Sequence, residues 1–116
     1  MARRPVEISD VPPERVAEAV GVLSRAFASD PLLRHICHAD KCDYPQRLRA
    51  FFVYVCEVQA QMGWPLLGAV PRTRLAGVVA VALPEQPEWP ESLSAHYARL
   101  ASTLGAVAIG RIEQYA

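Results

Sequence analysis

This sequence lacks an excess of charge of either sign. Its 116 residues include 12 lysines and arginines and 12 aspartates and glutamates, and neither sign forms a continuous block. Attraction to nucleic acid or to an anionic membrane requires a basic field, which a balanced and interspersed charge distribution does not create. We therefore expect neither a nucleic acid nor a membrane among the partners of this protein.

Long apolar runs, a leader sequence and paired cysteines are missing as well. No segment reaches the roughly 18 apolar residues that a transmembrane helix requires. The N-terminal Arg3 and Arg4 are followed by Glu7 and Asp10, and not by the apolar stretch of a signal peptide. The three cysteines are an odd number without a secretory context, so disulfides are not expected. These absences predict a cytoplasmic protein with reduced thiols.

The chain has the length and apolar content of one small domain. A hydrophobic content of 52% over 116 residues suffices for one core, so we predict a single domain over residues 1–116. Its most apolar stretch runs from Leu75 to Leu83 and reads Leu-Ala-Gly-Val-Val-Ala-Val-Ala-Leu. An uncharged, valine-rich segment of this length predicts a strand at the centre of a sheet, apolar on both faces.

Apolar residues recur every three or four positions in three stretches of the chain. This spacing predicts helices over residues 13–28, 45–62 and 90–114. An Asp-Pro pair ends the first of them, because the residue before a proline is displaced from helical geometry. Residues 32–43 show no helical period and are expected to be irregular or to form a short turn.

The remaining stretches have the pattern of strands. Alternation of apolar and polar residues predicts a short edge strand over residues 6–11. Residues 66–70 and the stretch from Leu75 to Leu83 flank a polar connection, 71–74, which suits an antiparallel hairpin. The expected fold is α+β, with a mixed, mostly antiparallel three-stranded sheet and three helices in the order β-α-α-β-β-α.

Several motifs on these elements resemble GNAT-type N-acetyltransferases. The first helix ends in Arg-Ala-Phe-Ala-Ser-Asp-Pro at residues 25–31, the second contains Phe51-Phe52, and the hairpin ends in Ala-Gly-Val-Val-Ala-Val-Ala-Leu-Pro at residues 76–84. Together they resemble the N-terminal half of such an enzyme over essentially the whole chain. The resemblance implies the front half of a GNAT fold, with acetyl-CoA as the acyl donor and an amine as the acceptor.

The resemblance does not extend to the cofactor-binding motif of that family. Its members bind the pyrophosphate of acetyl-CoA with a Gln/Arg-x-x-Gly-x-Gly/Ala loop at a helix N-terminus, where free backbone amides and the helix dipole attract the anion. The nearest glycines, Gly105 and Gly110, lie five residues apart in a helical pattern. The chain is therefore expected to be a truncated GNAT-like domain, incomplete or inactive alone, with no catalytic or cofactor-binding residue assigned.

The resemblance implies a substrate-side pocket near the end of the first helix. Its expected lining residues are Phe27, Asp30, His35 and Phe52. A carboxylate such as Asp30 suits an amine substrate, although an Asp before a proline also suits a cap or a turn.

Histidine and cysteine side chains cluster in the segment that follows the first helix. Zinc takes such ligands, but the cluster contains no Cys-x-x-Cys pair and two of its members are adjacent, so we expect no metal. A small zinc-binding domain stays an alternative hypothesis. The cluster consists of His35, Cys37, His38 and Cys42.

A second functional hypothesis is an interaction module and not an enzyme. In the implied family the strand from Leu75 to Leu83 has a further strand beside it, and no such strand follows it here. An open edge presents unpaired backbone amides and carbonyls, and these favour pairing with another chain. The alternative function is therefore a non-catalytic interaction module that pairs with a partner, or with a second copy of itself, through this strand.

Overall fold

The described residues of a computed structural model, 7–70, 74–83 and 89–114, form an α+β fold. Its sheet has three antiparallel strands, β1 (Glu7–Asp10), β2 (Leu66–Val70) and β3 (Gly77–Ala80), in the spatial order β1-β2-β3. The predicted α+β class with an antiparallel three-stranded sheet is confirmed. Val6 and most of the predicted connection between the last two strands lie outside the described residues.

The described residues contain five α-helices, whereas three were expected. A 3₁₀ turn at Pro13–Arg15 replaces the start of the first predicted helix, and the second predicted helix agrees with the structure to within one residue. The additional helices arise in the segment expected to be irregular and from a break in the last predicted helix. The helices are α1 (Val16–Ala26), α2 (Pro31–Ile36), α3 (Tyr44–Met62), α4 (Leu93–Leu104) and α5 (Ala106–Gln114).

Asp30 and Pro31 start the short helix α2. The Asp30 carboxylate accepts hydrogen bonds from the backbone amides of Leu32 and Leu33, at 3.0 and 3.1 Å. Proline is favoured in the first turn of a helix, because its missing N–H would have no partner there. Because α1 already ends at Ala26, these two residues begin the next helix without terminating the first, and the expectation of an irregular segment was wrong for residues 32–36.

Gly105 divides the last predicted helix into α4 and α5. Its backbone has φ of 85°, a conformation that glycine adopts without the clash that a side chain would cause. The amide of Gly105 still bonds to the carbonyl of Ala101, so α4 closes its last turn before the chain changes direction. The apolar period continues through the break, which is why the sequence predicts one continuous helix.

The main core lies between one face of the sheet and the helices α1, α2 and α3. Buried aliphatic and aromatic side chains from these elements contact one another and exclude water, which supplies most of the stability of such a layer. Leu66 and Leu75 contribute from the hairpin side. The helical members of the core are Ala19, Val20, Leu23, Leu33, Ile36, Cys37, Leu48, Phe52 and Cys56.

Glu18 connects α1 to the segment that precedes β3. Its carboxylate accepts a hydrogen bond from the backbone amide of Leu75 at 2.6 Å and bonds from the Arg15 guanidinium at 3.0 to 3.1 Å. The Leu75 amide, and then Arg15, lower the pKa of this carboxyl. The ionised form is therefore favoured in the folded protein, and the attachment weakens as the pH falls.

β3 differs most from expectation. It pairs with β2 and has no strand on its other side among the described residues, so β2 is central and β3 is an edge. Val79 is 58% exposed, and the expectation of a strand buried on both faces is therefore wrong. The helices cover only one face of the sheet, so alternate residues of β3 face solvent although the strand is apolar throughout.

The uncovered side of the sheet is mostly apolar, with Asp10, opposite Leu67, as a charged residue on β1. The register places Ile8 opposite Ala69 and Leu67 opposite Val79, and alternation along each strand puts these four side chains on the face away from the buried Leu66. Ile8 is 71% exposed. We call these four residues the outer face.

A second, smaller core joins α4 and α5 to α3. Leu100, Leu104 and Ala108 are buried there, and residues of α3 such as Phe51 and Tyr54 pack against them. Of the two C-terminal helices, α4 therefore rests on α3, and α5 rests on α4 and α2. Among the described residues, none of the helices is both long and apolar enough to cross a membrane.

Candidate functional site

The four residues predicted to line a substrate pocket have different surroundings in the structure. The rings of Phe27 and Phe52 are in contact, with 5.4 Å between their centroids, and Phe52 belongs to the main core. Asp30 caps α2, and His35 is exposed near the end of the same helix. The structure therefore brings the two phenylalanines together and gives Asp30 the capping interaction, while the proposed role of all four in substrate binding stays a prediction.

The histidine and cysteine cluster surrounds the end of α2. Cys37 is fully buried, Cys42 is exposed, and His38 lies between them with φ of 56°. The Nδ1 atom of His38 is 3.6 Å from an oxygen of Asp40. Burial raises the pKa of the Cys37 thiol to about 11, which favours the neutral form. Within the described ranges, no group of three or more such side chains is placed to hold a metal ion.

A cavity of about 340 Å³ lies between α3, α4 and α5. Phe51, Tyr54, Val55 and Val58 share one face of α3, because residues three and four positions apart are neighbours on a helix. Tyr97 of α4 lies opposite, with its ring 5.7 Å from that of Tyr54 in an edge-on arrangement. We call this cavity the aromatic pocket.

Polar groups enter the aromatic pocket at two points. The Tyr97 hydroxyl donates a hydrogen bond of 3.0 Å to Oε1 of Glu113, on the last turn of α5. Burial raises the pKa of Tyr97, and the hydrogen bond to Glu113 raises it further. At the other point, the Gln59 amide donates to the carbonyls of Pro65 and Val81, at 2.7 and 3.0 Å. Gln59 therefore joins the pocket to the segment that directly follows β3.

A second cavity, of about 360 Å³, follows the opposite side of the contact between α3 and α4. Its polar lining centres on Glu57, whose Oε2 atom contacts Nδ1 of His96 and lies 3.3 Å from Nη2 of Arg99. Arg49 is an exposed member of the same lining. Glu57 of α3 thus pairs with His96 and Arg99 of α4, so this second cavity has a polar centre where the aromatic pocket is apolar.

Arg47 is buried between the two cores. Its Nε donates to the carbonyl of Cys37 at 2.8 Å, and its two Nη atoms donate to the carbonyls of Thr103 and Leu104. Cys37 follows the last residue of α2, and the other two carbonyls end α4. One cation on α3 thus binds the C-terminal ends of two helices, where unpaired carbonyls and the helix dipoles favour positive charge.

The sequence interpretation missed the aromatic pocket. Tyr97 lies in the apolar period that predicts the last helix, and Gln59 and Glu113 lie in predicted helices with no motif around them. The one usable signal was the tyrosine at position 97 in that apolar period, because a tyrosine that packs against a core usually bonds its hydroxyl to a polar partner. Its partner, Glu113, could be recognised only after the break at Gly105 had placed α5.

Three comparisons, with protein-family models, with curated proteins and with solved structures, found no match to this chain.

Proposed function

We propose that this chain carries the acceptor side of a GNAT-type N-acetyltransferase, with acetyl-CoA as the donor and an amine as the acceptor. The observation that carries the proposal is the order of the strands and helices that form the sheet and its cover. β1, β2 and β3 follow one another as antiparallel neighbours, and the long helices α1 and α3 both lie between β1 and β2 in the chain. This order is the one that the resemblance of the motifs implies.

The aromatic pocket adds support, because it is joined to the end of β3. In the implied family, the strand beside β3 carries the donor. Gln59 bonds to the carbonyl of Val81, just beyond β3, and also lines the pocket. An amine held in the pocket would therefore start near the edge at which the donor binds in that family. Positioning of the two reactants is the main contribution of such an enzyme.

The described residues do not fit acetyl-CoA itself. Gly105 terminates α4 and Gly110 lies inside α5, and neither follows a strand as the pyrophosphate loop requires. The chemistry assigned to these residues is therefore binding and orientation of the acceptor. No step of the transfer is assigned to them.

Two measurements together test the acetyltransferase proposal. We expect the coding sequence beyond Ala116 to contain a strand followed by a Gln/Arg-x-x-Gly-x-Gly/Ala loop, and the longer protein to convert an amine to its acetamide with acetyl-CoA, as detected by mass spectrometry. Thermal unfolding of the present chain with acetyl-CoA, using ATP as the matched control ligand, tests for a residual cofactor site. A stop codon after Ala116, with no stabilisation by acetyl-CoA, would contradict the proposal.

A second candidate function is self-association through β3, favoured by its open edge and by the apolar outer face. A two-fold axis at Val79 would pair each Val79 with its counterpart and place Gly77 opposite Val81. The pairing would extend the sheet across both copies and continue the outer face, which holds the exposed Val79. A second copy supplies the same short apolar strand, so no other sequence is required.

Val79→Lys is expected to weaken this self-association about tenfold or more, because it places two like charges against each other on the outer face. Sedimentation equilibrium over a range of protein concentrations measures the effect. Val107→Lys is the matched control, since Val107 is a similarly exposed valine on α5, at 60% exposure. A strictly monomeric wild type at high concentration, with slow amide exchange from Val78 to Ala82, would show that the edge is already protected within one chain.

A further inference from the structure

We infer that the aromatic pocket binds a small organic cation with an apolar body, of the size and kind of an arylalkyl monoamine. The inference rests on the proposed function, because it names the class of acceptor. It comes from three properties of the pocket: its volume, the chemistry of its lining and the charge at its mouth.

The volume restricts the ligand to a small molecule. Ligand pockets commonly measure about 300 to 1,000 Å³, and this pocket, at about 340 Å³, lies at the lower end. One aromatic ring with a short side chain fits such a space. A peptide or an oligosaccharide would have to leave most of its surface outside.

The lining restricts the body of the ligand to an apolar group. Phe51, Val55, Val58 and Ile112 present hydrocarbon surface, and Tyr54 and Tyr97 add the faces and edges of their rings. A hydroxylated body, or a chain with several amines, would lose hydrogen bonds to water on entering and find few partners in return. The pocket therefore favours a monoamine with an apolar body over a polyamine or an amino sugar.

The mouth of the pocket favours a positive charge. Glu113 is its acidic residue, and no lysine or arginine lies among the described residues that line it. One carboxylate oxygen already accepts from Tyr97, and an ionised carboxylate has further acceptor sites for an ammonium group. The Trp89 ring, at 56% exposure, is also part of the lining, and aromatic faces attract cations.

The second cavity, on the other side of the contact between α3 and α4, is less suited to a cation than the aromatic pocket. That cavity is lined by Arg49 and Arg99 as well as by Glu57, and its two guanidinium groups disfavour a cationic ligand. Glu57 is already paired with His96 and Arg99. An organic cation that reaches this part of the protein is therefore expected to select the aromatic pocket.

Titration with phenylethylamine, followed by calorimetry and by amide chemical shifts, tests the inference. We expect saturable binding, with shifts concentrated around Tyr54, Tyr97 and Glu113. The neutral isostere 2-phenylethanol is expected to bind about tenfold more weakly, because it cannot pair with the carboxylate or attract the rings as a cation does. Spermidine, which has the charge but no ring, is expected to bind more weakly than phenylethylamine as well.

Two variants, one in the aromatic pocket and one outside it, accompany the titration. Glu113→Gln keeps the shape of the side chain and is expected to reduce affinity for phenylethylamine about tenfold while leaving that for 2-phenylethanol unchanged. Glu14→Gln, an exposed acid on the 3₁₀ turn before α1, should leave both affinities unchanged. Equal binding of the amine and the alcohol, full affinity in Glu113→Gln, or shifts confined to another part of the protein would overturn the inference.

The test separates this inference from the proposed function. Binding of phenylethylamine to the chain requires neither a donor nor a transfer step. If binding depends on Glu113 but no pyrophosphate loop is encoded, the inference that the aromatic pocket binds an organic cation is upheld and the acetyltransferase proposal fails. If acetyl transfer occurs but phenylethylamine does not bind here, the acceptor enters elsewhere and the inference fails alone.

Discussion

Arg47→Ala is expected to lower the free energy of unfolding by about 4 kcal/mol, because a buried carbonyl that loses its donor costs roughly 1 to 3 kcal/mol and Arg47 serves three. Arg47 as a whole is only 8% exposed, so water cannot readily replace the lost bonds. Its acceptors, Cys37, Thr103 and Leu104, belong to the ends of α2 and α4. Loss of the guanidinium therefore loosens the attachment of both helices to α3.

Arg49→Ala is the matched control for this prediction. Arg49 is an exposed arginine two positions along the same helix, and its removal is expected to change stability by no more than about 0.5 kcal/mol. Urea denaturation of both variants and of the wild type provides the comparison. Arg47→Lys should fall between them, since an ammonium retains the charge but lacks the planar fork of donors. A loss below about 1 kcal/mol in Arg47→Ala would show that the C-terminal helices do not depend on this contact.

The long helices could be predicted from the sequence because their signals are local. The apolar period of α3 extends over five turns, and Gly63 ends the helix with φ of 68°. An apolar period of this length is difficult to accommodate in a strand or a loop. α1 was predicted for the same reason, and it differs at its first turn, where two prolines lead into the 3₁₀ turn, and at its end, which comes two residues earlier than predicted.

The short helix α2 and the break before α5 show where local signals become ambiguous. Asp30 before Pro31 predicts the end of a helix by the restriction that proline imposes, yet α1 already ends at Ala26, and the pair supplies a capping carboxylate and a first-turn proline to the next helix. Gly105 in a helical period is tolerated in many helices and breaks others. Which outcome holds is decided by tertiary contacts, such as the binding of Arg47 to the last carbonyls of α4.

β3 shows a different limit of prediction from sequence, which concerns the burial of a strand. Its composition predicts burial, since nine uncharged residues from Leu75 to Leu83 would gain free energy by leaving water. Burial on both faces requires a layer on each side of the sheet, and among the described residues the helices supply only one. Strand order and layer arrangement are properties of distant contacts, so composition alone could not show that Val79 is exposed.

The aromatic pocket could not be predicted for a related reason. Its functional groups come from positions as far apart as Tyr54, Tyr97 and Glu113, and they converge only because α4 packs on α3 and α5 folds back against α4 and α2. The predicted substrate residues were drawn instead from the segment around the end of α1, together with Phe52 of α3. Two of them, Phe27 and Phe52, contact each other in the structure, and their role in substrate binding stays a prediction.

Phe52→Ala is expected to lower the free energy of unfolding by about 4 kcal/mol, the usual cost of removing a buried phenylalanine ring from a packed core. Phe52 is 5% exposed and packs against both Phe51 and Phe27, with ring centroids 5.3 and 5.4 Å away. Phe27→Ala should cost less than half as much, because Phe27 is 39% exposed and part of its ring already contacts water.

Comparing stability with amine binding in these two variants decides between a packing role and a substrate role. If the two rings serve packing, urea denaturation will show the losses above, and any folded Phe27→Ala protein will bind phenylethylamine with wild-type affinity. If they line the substrate pocket that the family resemblance implies, Phe27→Ala will weaken amine binding at little cost in stability. That second result would show that the acceptor binds at the end of α1, beside the carboxylate of Asp30, and not in the aromatic pocket.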